Sequence, residues 1–320
     1  MTITWAHART LEPAMAHVRV WDGRKCHVGE GPVAIGANYS KVHWVDILNN
    51  KIYWRDLMSD ESGEIPTTEN VSFVLPRSNG GLVIGNAYGP DLQDPDGLIH
   101  RLPGRADADG GEDPLPMRWN DAKVGPAGEI WLGTSSYGAP TDRIGLHRLS
   151  ADGSSIQRVA NGMGLSNGLD WSPDGKLFYL VDTTELLLYV YDYEAGEISN
   201  QRIALRFDPE LKQYPDGMTV DSEGCLWIAF WNGSCIRRYS PEFELIETVE
   251  FPVKFVSSCA FAGEDLRTLV VTTSTGDNGW HDNHEFAGMT FVIETDIKGC
   301  LLYTSPSPRD RTRSRMPSSA

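Results

Sequence analysis

Short apolar segments with the composition of β-strands recur along this chain at nearly constant intervals, and this period limits the possible folds more than any other feature. The segments are residues 44–47, 82–85, 130–133, 178–181, 226–229 and 269–272. Their first residues are separated by 38, 48, 48, 48 and 43 positions. A repeat of about 40–50 residues is typical of β-propellers, in which each repeat forms one four-stranded sheet.

Turn residues support this interpretation. Ser172-Pro173-Asp174-Gly175 and Asp221-Ser222-Glu223-Gly224 each come directly before a strand segment, and glycine supplies the positive φ that tight hairpins require. No segment keeps a helical spacing of apolar residues over twelve positions. Six strand segments therefore predict an all-β chain folded as a six-bladed β-propeller. An open β-solenoid is the alternative, but a closed ring better explains why no capping repeats flank the series.

Composition narrows the class of protein. The formal net charge of −16 over 320 residues argues against nucleic acid and anionic membranes as partners. No run of 18 apolar residues occurs, and residues 1–15 lack the apolar region of a secretory signal. The five cysteines show no CxxC spacing, which predicts reduced thiols in a cytoplasmic protein, with a Cys225–Cys235 disulfide as the alternative.

Three polar segments occur at the same phase of the repeat, each about ten residues before a strand segment. They are Arg118-Trp119-Asn120-Asp121, Leu165-Ser166-Asn167-Gly168 and Tyr214-Pro215-Asp216-Gly217. In a closed radial fold, equal phase means equal height and equal distance from the axis, so the three side chains would converge. The alternative is that Asn-Gly and Asp-Gly are ordinary hairpin turns. We favour convergence because both dipeptides precede a predicted strand start, at Leu169 and at Met218.

Glu30 lies in the tight segment Gly29-Glu30-Gly31-Pro32 before the first strand segment. Together with Asn and Asp it would give carboxylate and amide oxygens, which suit Ca²⁺, Mg²⁺ or Mn²⁺. So few protein ligands leave positions for a water and a substrate oxygen, as a catalytic metal requires. From spacing alone, a surface turn residue remains the alternative for Glu30.

Alternation along a strand places Arg118 and Asn120 on one side and Asp121 on the other. An arginine beside an asparagine on an inward face suits a polyhydroxy or anionic ligand. The alternative is an Arg118–Asp121 ion pair at the surface.

Other catalytic motifs have no support in the sequence. His281 and His284 do not have the spacing of a helical zinc site, and Gly276, Asn278 and Gly279 predict an exposed loop around them. No Gly-x-Ser-x-Gly elbow and no glycine-rich phosphate loop is present.

Several motifs together resemble the senescence-marker-protein (regucalcin) / gluconolactonase / luciferin-regenerating-enzyme-like family over about residues 20–299. They are Gly29–Pro32, Trp44–Ile47, Arg118–Val124, Ser166–Ser172, Pro215–Met218, Leu226–Ala229 and Ser257–Phe261. The resemblance implies a six-bladed propeller that holds one divalent metal ion at its axis and hydrolyses sugar lactones to aldonic acids. It does not choose among Ca²⁺, Zn²⁺, Mn²⁺ and Mg²⁺.

The resemblance also assigns roles. Glu30, Asn167 and Asp216 correspond to the metal ligands, and Arg118 and Asn120 to substrate-binding residues. Asp216 is then the candidate to accept a proton from the attacking water. The chain departs from the family pattern at Ala34, Ala122 and Gly125, where Trp, Gly and Asp are usual. These departures concern the identity of the lactone more than the chemistry.

Two other functions stay open at this point. One is a calcium-binding regulatory or scaffold propeller with little turnover. The other is a lactonase or esterase that acts on organophosphate esters or aromatic lactones. The expected partner is a small sugar lactone, and the sequence does not fix the oligomeric state.

The two ends of the chain differ in character from the repeats. Residues 1–19 are predicted to be an N-terminal extension, residues 20–299 the propeller, and residues 300–320 a disordered tail that is not native. The peptide from Cys300 to Asp310 resembles the translation of a transposase-type library adapter. A native basic tail rich in Ser, Pro and Arg is the alternative. If the native C-terminus is missing, the last blade would lack its closing strand.

Overall fold

Six antiparallel four-stranded sheets form a closed ring in the computed structural model, which describes residues 18–36, 38–77, 80–87, 89–108, 117–136 and 144–301. Neighbouring sheets contact one another through the first strand of each, and the sixth sheet contacts the first. The ring is therefore closed, and these first strands line its axis. The predicted six-bladed β-propeller is confirmed.

The blades follow the order of the chain. Blade 1 holds β2 (Gly29–Ile35), β3 (Lys41–Asp46), β4 (Lys51–Asp56) and β5 (Ser62–Pro66). Blade 2 holds β6 (Val71–Pro76), β7 (Leu82–Asn86), β8 (Pro90–Gln93) and β9 (Ile99–Arg101). Blade 3 holds β10 (Met117–Val124), β11 (Ile130–Ser136), β12 (Gly145–Leu149) and β13 (Ile156–Asn161).

Blade 4 holds β14 (Ser166–Trp171), β15 (Leu177–Asp182), β16 (Leu187–Glu194) and β17 (Glu197–Arg206). Blade 5 holds β18 (Tyr214–Val220), β19 (Leu226–Trp231), β20 (Cys235–Tyr239) and β21 (Leu245–Glu250). Blade 6 holds β22 (Phe255–Ala262), β23 (Thr268–Ser274), β24 (Thr290–Glu294) and, as its outermost strand, β1 (Arg19–Asp22). Each predicted strand segment lies on the second strand of its blade.

The core lies between adjacent blades. Apolar side chains alternate along the inner strands and pack against the facing sheet, which gives a separate cluster at each blade interface. Five tryptophans are fully buried in these clusters: Trp44, Trp119, Trp131, Trp171 and Trp227. Burial on both faces explains why the second strands have almost continuous apolar sequences.

Helical structure in the described residues is limited to α1 (Arg105–Ala108) and a 3₁₀ turn at Pro209–Leu211. Among those residues, we find no helix with the length and apolar character needed to cross a bilayer. All five cysteines are described and none is in a disulfide, so the alternative Cys225–Cys235 bridge is not formed.

The closing strand of blade 6 corrects one expectation. We expected this blade to lack its fourth strand if the native C-terminus is missing, but β1 pairs antiparallel with β24 and completes the sheet. The strand begins at Arg19, so the last residue of the predicted extension belongs to the propeller. At the other end, the Cys300 N–H donates to the Val220 carbonyl at 3.2 Å, and Leu301 packs against the core. The adapter-derived tail was predicted over residues 300–320, of which residues 302–320 lie outside the described residues.

Side-chain contacts attach β1 to blade 1 as well as to blade 6. Trp21 packs against Trp44 with ring centroids 5.9 Å apart, and the Arg55 guanidinium donates to the Trp21 carbonyl at 2.5 Å. Arg24 forms two hydrogen bonds with the Asp22 carboxylate, at 2.8 and 2.7 Å, and lies over the ring of Trp44. The N-terminal strand therefore links the last blade to the first.

We predict that Trp21→Ala destabilises the protein by about 3 to 5 kcal/mol, because it removes a large buried side chain at the junction of the ring. Chemical denaturation measures the free energy of unfolding. The matched control is Arg19→Ala on the same strand, since the ion pair of Arg19 with Glu294 is exposed and such pairs contribute about 0–1 kcal/mol. Equal effects of the two substitutions would contradict a closing role for β1.

Candidate metal and substrate site

An irregularity of register occurs at a corresponding point in every inner strand. The pairing with the second strand shifts between Glu30 and Val33, Val71 and Phe73, Trp119 and Ala122, Ser166 and Leu169, Pro215 and Met218, and Val256 and Ser258. Such β-bulges interrupt the alternation of side chains and redirect them, and they are common beside active sites. They place Asn120, Asn167 and Asp216 at equivalent positions around the axis.

The Asn-Gly and Asp-Gly dipeptides are therefore parts of bulged strands. Both lie inside β14 and β18, which begin at Ser166 and Tyr214, before the strand starts predicted at Leu169 and Met218. The glycines are needed because adjacent inner strands approach closely. A Cβ at Gly168 would lie 2.5 Å from the Asp216 carbonyl oxygen, and one at Gly217 would lie 2.1 Å from Ser258 Oγ. The hairpin-turn alternative is wrong at both positions.

Three predicted ligand residues, Glu30, Asn167 and Asp216, line one cavity at the axis. The Asn167 side-chain amide donates to Thr183 Oγ1 at 3.0 Å and also to the Asp216 carboxylate. Thr183 in turn donates to the Pro215 carbonyl at 2.8 Å. This chain of hydrogen bonds fixes the orientation of the Asn167 amide. Thr183 was not predicted as a site residue, although its position directly after β15 could have pointed to it.

Glu30 reaches the same cavity from blade 1. Its Oε2 atom accepts the Gly31 N–H at 3.1 Å, and Gly31 has a positive φ of 53°. The glycine and the following proline thus bend the strand so that the carboxylate faces the axis. Glu30 is consequently not the surface turn residue that spacing alone left open.

Arg118 and Asn120 lie on the same side of β10, as alternation predicted. The Arg118 guanidinium donates to Asn120 Oδ1 at 2.5 Å and to the Trp119 carbonyl at 2.9 Å. The Asn120 amide nitrogen donates to the Ser166 carbonyl at 2.9 Å. Both side chains line the cavity that holds the three predicted ligands. Both the oxygen and the nitrogen of the Asn120 amide therefore form hydrogen bonds, and the side chain supports Arg118 at the cavity wall.

Asp121 does not form a surface pair with Arg118. It lines a smaller cavity of about 40 Å³ further along the axis of the ring, and the two cavities together are called the channel. Lys123 lines this cavity too and forms an ion pair with Asp170 of blade 4, which also accepts the Val220 N–H at 2.9 Å. The Asp121 carboxylate thus lies further along the axis than the predicted ligand residues. The equivalent residue of blades 4 and 5 is glycine.

The channel concentrates negative charge. Burial raises the pKa of Glu30 well above its ordinary value, and the charges of Asp216 and Asp121 raise it further. Burial, followed by the charge of Asp121, also raises the pKa of Asp216. Burial raises the pKa of Asp121 to about 6, although Lys123 opposes the shift. Arg118 favours the ionised forms of Glu30 and Asp216 but does not offset the other effects.

The cavity has a volume of about 240 Å³ and walls of two kinds. Its polar lining comes from the residues described above and from Thr184, Asp277 and Asn278. Its apolar lining comes from Val28, Ile47, Leu165, Tyr214, Trp231 and Trp280. None of this second set was predicted from the sequence to line the site. Trp280 belongs to the loop around His281 and His284, and both histidines are exposed, as predicted.

A second group of possible ligand atoms lies away from the axis. Asp221, Glu223 and Cys225 bring their ligand atoms close together within the described part of the chain. However, the Asp221 carboxylate already pairs with Arg238 and accepts hydrogen bonds from the Cys225 N–H and the Trp227 indole. Arg238 supplies the positive charge that a metal would bring, so this group is an ion-pair network.

Comparison with known proteins points to one family. The model of the SMP-30/Gluconolactonase/LRE-like region matches residues 28–275. Regucalcin of Bos taurus is 34% identical over 87% of this chain and 94% of its own length. Pentonolactonase XacC of Haloferax volcanii is 32% identical over 89% of this chain and 96% of its own.

A solved structure of similar shape is a calcium-binding protein, regucalcin, from Agrobacterium tumefaciens. It superposes with a TM-score of 0.79 at 25% identity, and the match covers 89% of this chain and 95% of that one. The similarity extends over all six blades.

We predict that Asp121→Asn stabilises the metal-free protein at pH 7 by about 3 kcal/mol and leaves its stability at about pH 3 unchanged. The pKa of Asp121 is higher in the folded chain than its ordinary value of 3.8. Its contribution to stability is therefore full below pH 4 and is lost as the pH rises through about 6. Thermal unfolding in EDTA across this range measures the difference between variant and wild type.

The matched control is Asp174→Asn. A hydrogen bond from the Ser172 hydroxyl lowers the pKa of Asp174. That carboxylate therefore stabilises the fold above its unfolded pKa and loses the effect as the pH falls, so the control should be destabilised at pH 7. An Asp121→Asn difference that does not change with pH would contradict the assignment.

Proposed function

The chain belongs to the SMP-30/gluconolactonase/LRE-like family, and we propose that it is a metal-dependent hydrolase that opens sugar lactones to aldonic acids. The observation that carries the proposal is the convergence of Glu30, Asn167 and Asp216 on one cavity that also holds Arg118. Relatives named as a pentonolactonase and a 6-deoxy-6-sulfogluconolactonase support lactones as the substrate class.

The donor set fits a divalent cation. Two carboxylates and an amide oxygen are hard ligands of the kind that Ca²⁺, Mg²⁺ and Mn²⁺ prefer, and no thiolate lines the cavity. The carboxyl groups have raised pKa values because the folded chain brings their negative charges together at a buried site. A cation held by Glu30, Asn167 and Asp216 would relieve that repulsion. Zn²⁺ stays among the ions to be tested.

The groups at this site contribute to different steps of ring opening. A bound cation would supply Lewis-acid activation of the lactone carbonyl and would lower the pKa of a water. Asp216 accepts the proton of the attacking water, since a carboxylate in the cavity wall can serve as general base once it is ionised. Its partner Asn167 holds this carboxylate in place through the side-chain amide.

Arg118 orients the substrate. Its guanidinium presents several donors in a fixed plane, which suits the hydroxyl and carbonyl oxygens of a lactone. The hydrogen bonds of Asn120 to Arg118 and to the Ser166 carbonyl restrict the motion of this guanidinium. Holding the substrate in one orientation can supply a large part of a rate enhancement. Asn120 thus acts on the substrate side mainly by positioning Arg118.

Two observations each favour a different function. The similar structure described as a calcium-binding protein favours a binding propeller with little turnover as the second candidate. The aromatic side chains in the cavity wall would also accept an aromatic lactone or another non-sugar ester. The first experiment must therefore separate binding of the metal from turnover and sugar lactones from apolar ones.

We expect EDTA-treated protein to lose lactonase activity and to regain it with one of Ca²⁺, Mg²⁺, Mn²⁺ or Zn²⁺. A pH-stat assay on hexono- and pentono-lactones of both ring sizes, together with dihydrocoumarin and paraoxon, measures turnover. Calorimetry gives the metal stoichiometry, which should be one ion per chain. No turnover of any lactone at full metal occupancy would support the calcium-binding alternative.

Asp216→Asn should reduce kcat/KM by about 10²–10⁴-fold, because the amide cannot accept the proton of water. The substitution preserves size, so the circular dichroism spectrum should not change. Asp152→Asn is the control, since Asp152 lies in an exposed turn and should leave kcat/KM within twofold of wild type, roughly the scatter expected for surface changes. Retained turnover of Asp216→Asn with metal bound would remove Asp216 from the mechanism.

A further inference from the structure

The loop between β23 and β24, residues 275–289, faces the substrate-binding side of the cavity. Blade 6 carries this loop and blade 3 carries Arg118, and in a closed ring of six the third and sixth blades are opposite each other. The loop contributes Asp277, Asn278 and Trp280 to the cavity lining. A ligand that contacts Arg118 therefore has this loop on its other side.

Trp280 has two aromatic neighbours and remains partly exposed. Its ring centroid lies 6.3 Å from that of Tyr214 and 6.3 Å from that of Phe255, with interplanar angles of 80° and 87°. Phe255 also stacks on Trp231 at 4.6 Å. These edge-to-face contacts restrict the orientation of the indole, but 39% of its surface stays exposed. A large aromatic ring that lines a cavity and remains exposed is suited to contact a ligand.

The loop has a defined backbone. The Trp280 N–H donates to the Asp277 carbonyl at 2.9 Å, and the Asp282 carboxylate accepts the Lys254 N–H at 2.7 Å. Gly276 has a φ of 128°, and a Cβ there would lie 2.0 Å from the Trp280 carbonyl oxygen. Only glycine can therefore occupy position 276. The turn at this glycine brings Trp280 back toward the axis.

The two walls match the two surfaces of a sugar-lactone ring. Such a ring has hydroxyl and carbonyl oxygens around its edge and C–H groups on its faces. Arg118 offers hydrogen-bond donors to the oxygens, and the indole of Trp280 offers an apolar face to the C–H groups. An aromatic or lipophilic lactone would use the indole but would leave the polar wall without partners, which costs affinity.

We propose that Trp280 is the platform on which the ring of a polyhydroxy lactone stacks, and that it fixes the orientation in which the ring oxygens reach Arg118, so that the site favours such rings. The proposal rests on the lactonase function proposed above and names one residue that positions the substrate. The loop that holds Trp280 lies on the blade opposite Arg118, so the two side chains would contact the same substrate from different sides.

The test compares wild type, Trp280→Ala, Trp280→Phe and His281→Ala on glucono-δ-lactone and δ-valerolactone. The two lactones have the same ring size, but the second lacks hydroxyl groups. His281→Ala is the matched control because it is the exposed neighbour in the same loop and does not line the cavity. Calorimetric binding of gluconate, the reaction product, gives a readout that does not depend on turnover.

For Trp280→Ala we expect KM for glucono-δ-lactone and Kd for gluconate to rise about tenfold, which corresponds to about 1.4 kcal/mol. The value of kcat should stay within about threefold, because the platform binds ground and transition states alike. Trp280→Phe should keep KM within about threefold of wild type, and His281→Ala should not differ from it. Wild type should prefer glucono-δ-lactone to δ-valerolactone, and this preference should decrease in Trp280→Ala.

Three results would overturn the platform: unchanged gluconate affinity in Trp280→Ala, an equal loss in His281→Ala, or a larger loss for δ-valerolactone than for glucono-δ-lactone. Failure of the lactonase function would look different. In that case wild type would not turn over either lactone, yet gluconate would bind and its affinity would depend on Trp280. If gluconate does not bind to wild type either, both proposals fail.

Discussion

The bulge in each inner strand is the constraint on which this site depends. A regular strand would point alternate residues into the blade interfaces, and polar side chains there would be buried among apolar clusters. The bulge interrupts that alternation at a corresponding point in all six blades. Polar residues can then face the axis while the rest of the strand still supplies the core. The fold is thus stabilised by the blade interfaces, and the axis is left for function.

A symmetric scaffold carries an asymmetric site. Glu30 and Asn167 come from opposite blades, the first and the fourth, and Asp216 comes from the fifth. The bulges of blades 2 and 6 hold Ser72 and Ser257, and the Ser257 hydroxyl donates to the Gly29 carbonyl at 2.5 Å. That bond supports the strand that carries Glu30. Blades 1 and 5 therefore provide the carboxylates, and blade 6 supports the backbone that positions Glu30.

Period and phase were enough to predict six blades and the convergence of Asn120, Asn167 and Asp216, because both depend only on where residues fall in a repeat. The direction of Asp121 into the lower channel depends on a bulge, which no sequence pattern marked. The closing strand at residues 19–22 has four residues, and its partner β24 lies about 270 positions away, so no local signal identified it. Trp280 lies in a loop outside the repeat, and its proposed role follows only from the ring that places blade 6 opposite blade 3.

The electrostatics of the channel connect stability with binding. Three acidic side chains, Glu30, Asp216 and Asp121, have raised pKa values because folding places them together away from water. In a chain selected for stability alone, apolar or amide side chains at these positions would avoid that repulsion. Departures of this kind from local rules are expected at functional sites. Under the proposed function, the same repulsion would favour a bound cation, and an ion that binds only the folded chain would stabilise it by an amount that grows with its affinity. The destabilising cluster and the proposed metal site are therefore one feature of the fold.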